Sequence, residues 1–123
     1  MEYAYKRVSP HGFEDSIEAV ERSVAASGFV VSATYDIQSR LSAKGFPISP
    51  LTILEIMPSE GTDDASLALI MPCRIHVYEE ADAVLIAALR PTLFTAVFPE
   101  HQMDELADKV ERVVIAVVDG AVG

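Results

Sequence analysis

Four stretches of alternating apolar and polar residues, joined by short connections and bracketed by two helical stripes, constrain this chain most. Residues 29–37 put Phe29, Val31, Ala33, Tyr35 and Ile37 on one side and Val30, Ser32, Thr34 and Asp36 on the other. Residues 51–57 put Leu51, Ile53, Glu55 and Met57 on one face and Thr52, Leu54 and Ile56 on the other. From Cys73 the pattern divides Cys73, Ile75, Val77 and Glu79 from Arg74, His76 and Tyr78. Residues 83–89 divide Val84 and Ile86 from Leu85, Ala87 and Leu89, after a predicted hairpin turn at Glu80-Ala81-Asp82. Consecutive strands at such short spacing pair antiparallel, because parallel pairing needs long crossovers.

The helical stripes lie outside this block. After a weakly alternating segment at 2–8 and a break at Ser9-Pro10-His11-Gly12, Phe13, Ile17, Val20 and Val24 recur on one face of a helix over about 13–27. Glu14 and Asp15 suit its first turn, and Gly28 suits a C′ residue at positive φ. Near the C-terminus Met103, Leu106, Val110, Val113 and Val117 form a second stripe, widened by Val114 and Val118, on a helix opened near Pro99. One helical turn is predicted over 38–44, and loops at Gly45-Phe46-Pro47 and Ser49-Pro50. Pro58 to Asp64 reads as a polar turn region, while 65–70 fits a short helix or the lead-in to a strand. Pro72 limits the start of the fourth strand and Pro91 ends the fifth.

The predicted order is β-α-β-β-β-β-α: one α+β domain over 1–123, an antiparallel sheet with two helices packed on one face. The other face is then open. Thr52, Leu54, Ile56 and their neighbours are too apolar to leave wet, which predicts a homodimer through the open sheet face. Which set faces the helices is not fixed by alternation.

Composition narrows the partners. Of the 123 residues half are hydrophobic, and the formal net charge is −10. Such a surface repels phosphate backbones and anionic lipid heads, so nucleic acid and membrane are not expected partners. The single cysteine excludes an intrachain disulfide, and no apolar run reaches the ~18 residues of a membrane span. With an N-terminus that lacks a basic and an apolar region, these features predict a cytoplasmic location.

Phe13, Gly28-Phe29 and Asp36-Ile37 then fall into place beside Met71-Pro72-Cys73-Arg74-Ile75-His76-Val77-Tyr78-Glu79. That last run is similar to the Leu-Pro-Cys-Arg-Val-x-Val-Tyr-Glu signature of a bacterial family, number 302 of the domains of unknown function. The resemblance covers about 10–118. It implies a β-α-β₄-α fold like that of the TATA-binding proteins, and a dimer. Two departures stand out: Met57, in Glu55-Ile56-Met57-Pro58, occupies the place of a second cysteine, and the segment between the third and fourth strands is short. The resemblance therefore implies shape and not dithiol chemistry.

Few side chains are candidates for chemistry. Cys73 is near Arg74 and His76 in sequence, and positive charge lowers a thiol pKa; strand alternation, however, turns both away from it. The same alternation prevents Cys73 and His76 from meeting on one metal, so no metal and no cofactor are expected. Arg74, His76 and Tyr78 share a face able to meet an anionic ligand or shuttle a proton, against the plainer reading of a solvated strand face or a polar rim on the dimer contact. Asp36 and Glu55 are carboxylates on or beside apolar strands, a pair fit for acid–base work if close and desolvated; the structural reading makes Asp36 a turn cap and Glu55 a cross-strand partner of Arg74. His11 and His101 fall in a loop and at a helix start. The first functional reading is a non-catalytic binding module. The alternatives are a thiol-dependent redox or transfer activity at Cys73, and a small-ligand pocket between helices and sheet with His76 and Tyr78 as polar contacts.

Overall fold

The computed structural model describes residues 3–59, 71–97 and 104–123. Pro99, His101 and Met103, the segment 65–70 and residues 60–64 of the polar turn region lie outside them. The elements are β1 (Ala4–Val8), α1 (Phe13–Ala26), β2 (Phe29–Asp36), α2 (Ile37–Ser42), β3 (Leu51–Pro58), β4 (Cys73–Glu80), β5 (Ala83–Leu89), α3 (Thr92–Val97) and α4 (Asp104–Val122). The five strands form one sheet in the order β1-β5-β4-β3-β2, with every neighbour antiparallel. Helices α1 and α4 pack on each other and on one face of it. The fold is thus α+β, as the alternation and the two stripes require.

The covered face is now identified. Leu54, Ile56, Ile75, Val77 and Ile86 are fully buried beneath Val20 and Val24 of α1 and Val114, Val117 and Val118 of α4. Each such side chain contributes about 1.5–3 kcal/mol of gross burial energy, so this layer outweighs any single polar contact in the molecule. The set Thr52, Leu54 and Ile56, suspected of facing outward, faces the helices instead.

A bulge overturns the simple alternation expected for β2. The β2–β3 register shifts between Val31 and Ala33, so Phe29 and Val31 pack on the core while Tyr35 pairs with Ile53 on the opposite face. An extra residue in one strand of a period-two ladder has this effect: everything beyond it changes sides. The Ser32 hydroxyl donates to the Glu55 carbonyl at 3.2 Å beside the bulge. Ile37, read as the end of the strand, opens α2; the Asp36 carboxylate caps that helix, accepting from the Ser39 amide at 3.0 Å and its hydroxyl at 2.8 Å.

Polar ties fix the helix layer. Ser23 of α1 donates to the Val117 carbonyl of α4 at 2.7 Å. Gly120 lies directly against Ser23, where a Cβ would collide with the hydroxyl, so its lack of a side chain sets the approach of the two helices. The predicted α1 stripe is correct, but Ser16, Ala19 and Ser23 make its buried face as much as Val20 and Val24 do. Asp119 accepts from the Tyr5 hydroxyl at 2.6 Å and from Arg7 at 2.8 Å, anchoring α4 to β1. The buried Glu111 accepts from Arg90 at 3.0 Å, the Thr92 amide at 3.1 Å and the Thr92 hydroxyl at 2.6 Å. Burial pushes the Glu111 carboxyl up, but the bonds from Thr92 and Arg90 prevail and hold it below the usual range.

Both helix ends and turns show local logic. Gly28 takes φ +77° just beyond α1, as a C′ glycine does. The β4–β5 connection is the two-residue turn Ala81-Asp82, with φ 51° and 64°. Positive φ at both positions is the geometry that follows strand twist, and alanine is strained in it. Ala81→Asn is therefore expected to raise unfolding free energy by about 0.5–1 kcal/mol, read by urea denaturation. Glu111→Ala is expected to lower it by about 1–2 kcal/mol in the same assay, because the part-buried donors of Thr92 and Arg90 lose their acceptor.

Candidate functional site

The sheet face away from α1 and α4 carries the polar side chains singled out in β4. Register places them in rows. Ala33, Glu55 and Arg74 lie side by side across β2, β3 and β4. The next row runs Tyr35, Ile53, His76, Ala87 and Lys6, through all five strands. The third is Leu51, Tyr78, Leu85 and Val8. Arg74, His76, Tyr78 and Glu55 are thereby brought together on one surface.

Glu55 stands opposite Arg74, the cross-strand pairing the sequence suggested. It also draws Tyr35: hydrogen bonding to Glu55, its negative charge and burial hold the Tyr35 hydroxyl above its ordinary pKa. The Arg40 guanidinium lies 4.9 Å from the centre of the Tyr35 ring, within cation–π range. His76 is half-buried at the centre of the second row, and that burial, with Arg74 beside it, lowers its pKa. At neutral pH it is an uncharged imidazole that both donates and accepts.

The remaining candidates lie elsewhere. Asp36 pairs with Thr52 in register and is engaged as the α2 cap, so it does not converge with Glu55. Backbone hydrogen bonding to Ser39, with the Ser39 hydroxyl, lowers its pKa. Cys73 is buried on the helix side, opposite Ile56, and burial pushes its thiol up to about 11. It is protonated at neutral pH, the reverse of an activated nucleophile. A cysteine at position 57 would not meet it, since Met57 leaves the sheet on the other face. Among the described residues no three His, Cys, Asp or Glu side chains gather as metal ligands do. His76 and Tyr78 point away from the helix layer, so a ligand touching them lies outside the sheet and not between helices and sheet.

Two hollows flank His76. One, of about 480 Å³, lies on the open face against β1, β5 and β4 and is walled by Ile48, Ser49 and Pro50. The other, of about 450 Å³, opens where β4 begins and β5 ends, between Cys73, Arg74, Pro91 and Phe94. The first arises because Ala87 is small between the longer Lys6 and His76. Sequence reasoning missed it: Lys6 and Ala87 are far apart in the chain, and only the β1–β5 pairing makes them neighbours. It also missed Glu111 and Asp119, whose partners come from β1 and the segment before α3. Among the described residues no helix is long and apolar enough to cross a membrane.

The depressed pKa of His76 has a sign in stability. The unfolded chain protonates this imidazole near pH 6.5 while the folded chain resists, so the unfolded state binds more protons as pH falls. The His76 contribution is full above about pH 6.5 and is lost as pH falls toward the folded value. Denaturant midpoints measured between pH 7.5 and 5 are expected to decline below about 6.5, and less steeply in His76→Gln.

A family model for the domain of unknown function DUF302 matches residues 5–121. The crystal structure of an uncharacterized conserved DUF302 protein from Bacillus stearothermophilus superposes with a TM-score of 0.88 at 23% identity, over 98% of this chain and 99% of that one. At that identity the likeness speaks to fold. No curated protein matches the chain in sequence. With the family model spanning nearly the whole sequence and the β4 signature seated on a five-stranded antiparallel sheet, the chain belongs to the DUF302 family.

Proposed function

We propose that this protein is a non-catalytic binding module whose working surface is the uncovered sheet face, and that a second copy of the chain occupies most of it. The observation that carries this reading is the apolar content of that face. Val8 is 63% exposed, Val30 46%, Leu89 46% and Met57 39%, and Leu51, Ile53 and Leu85 lie among them. Isolated exposed apolar residues are ordinary, but a contiguous field of them marks an interaction surface.

Size and charge support a self-pairing surface. Five strands about 4.8 Å apart and some six residues long at about 3.3 Å per residue span a field of roughly 24 by 20 Å, about 500 Å² of projected area per copy, which is the small end of specific interfaces. The chain is strongly acidic, yet among the described residues its acids concentrate on the helices: Glu14, Asp15, Glu18 and Glu21 on α1, and Asp104, Glu105 and Asp108 on α4. The central field of the open face carries Lys6 and Arg74 against Glu55. Two copies meeting by their sheets keep the acidic layers apart, and a two-fold axis passing beside the Glu55–Arg74 pair would set Arg74 of each copy against Glu55 of the other. The protonated, buried Cys73 supports binding over thiol chemistry.

Sedimentation velocity at about 10 µM is expected to give a dimer, with association weakened roughly thirtyfold or more in Ile53→Asp while far-UV dichroism is unchanged. A native chain sedimenting as a monomer at that concentration overturns the pairing.

A further inference from the structure

We infer that the hollow beside His76 on the open face is a binding site for a small aromatic carboxylate. This goes beyond the pairing proposed above and stands without it.

The hollow is built from one small residue between larger ones. Ala87 forms its floor, with Lys6 on one side and His76 on the other in the same row, their strands separated only by β5. Two inter-strand spacings put the Lys6 and His76 backbones about 10 Å apart, wide enough for a single ring to lie over the Ala87 methyl. The volume of about 480 Å³ falls within the range of small-molecule sites. Its walls are largely apolar, with Ile48, Leu51 and Leu89 among them, and its rings are Tyr3, His76 and Tyr78.

Charge orients the occupant. Lys6 is the cation of the hollow, at the β1 end. The Glu79 amide, donating to the Pro50 carbonyl at 3.1 Å, ties the Ile48–Pro50 wall to β4 at the other end, while the Glu79 side chain falls with Ile75 and Val77 on the helix side. A ligand with one carboxylate is held with that group toward Lys6 and its apolar body toward Leu51 and Ile48; a cation is not favoured at the Lys6 end. The uncharged imidazole of His76, across the Ala87 floor from Lys6, offers a face or a donor to the body of the ligand. The chemistry recognised is therefore a monoanion on a flat apolar body, and not a phosphate, which needs several cationic or backbone donors at one end.

The test titrates the full ¹⁵N-labelled chain with 2-naphthoate and follows amide shifts by NMR. Saturable shifts are expected at Lys6, His76 and Ala87, with Kd on the order of 1 mM or tighter. Lys6→Gln is expected to weaken binding roughly tenfold, and neutral 2-naphthamide to bind the native chain as weakly as naphthoate binds that variant. Ala87→Leu, which fills the floor, is expected to abolish the shifts; if it fails to fold, the Lys6 and naphthamide comparisons carry the test. An absence of saturable shifts up to about 10 mM, shifts confined to other surfaces, or equal affinity for naphthamide and naphthoate overturns the inference. Sedimentation of the same samples reports pairing separately, so loss of one claim does not mask the other.

Discussion

Two helices cover one face of a five-stranded sheet only if they lie tightly side by side, and here that closeness depends on the contact between Ser23 and the turn of α4 at Val117 and Gly120. The Ser23 hydroxyl reaches the Val117 carbonyl because position 120 has no Cβ in the way. Ser16 and Ala19 keep the rest of the α1 side equally slim. Close helices bring Val20, Val24, Val114, Val117 and Val118 down together onto β3, β4 and β5. The polar contact adds little net energy beside that burial. What it sets is the spacing, and the spacing decides which apolar residues of the sheet are sealed.

Sealing one face so thoroughly commits both α1 and α4 to it, and the Ile48–Pro50 segment stands against part of the other. The two ties from α4 to the strands act on the helix side as well. Asp119 reaches Tyr5 and Arg7 at the β1 edge, and Glu111 reaches Arg90 and Thr92 where β5 gives way to α3. The Tyr5 hydroxyl, with Arg7, holds Asp119 below its ordinary pKa against the opposing effect of burial. Both carboxylates therefore support the fold above the ordinary carboxylate range and lose that support as acid reaches their folded pKa values. His76, on the opposite face, loses its contribution at a higher pH, so the two faces respond to acid in separate windows.

The sequence was most legible where a single periodicity governed a segment. The boundaries of β3, β4 and β5, the length of α1 and the place of Gly28 follow from alternation, stripe and cap, and each is local. Legibility failed where the answer belonged to pairing. The bulge between Val31 and Ala33 reverses β2 with no composition signal beyond Ser32, because a shifted register is a property of two strands. The covered face of β3 was ambiguous because Leu51, Ile53 and Met57 are as apolar as Leu54 and Ile56. Helix α3 was not read at all: six residues after Pro91 are too few for a period to show. Of the candidate site, Arg74, His76 and Tyr78 were found as a set because they alternate on one strand, whereas Lys6 and Ala87 join them only through the β1–β5 ladder.

The β4 signature illustrates how two roles share one strand. Cys73, Ile75 and Val77 face the helices, and Arg74, His76 and Tyr78 face out. A run that looks like a cluster of reactive groups is, in three dimensions, a core strip interleaved with a surface strip. The thiol is small and apolar enough to fill its place between Ile56 and the helix layer, and burial keeps it protonated. The polar members stand where Cys73 does not reach, among apolar neighbours on the open face. If that face is the binding surface proposed above, recognition belongs to the outward residues of β4 and their row partners, while the inward residues hold the strand that presents them.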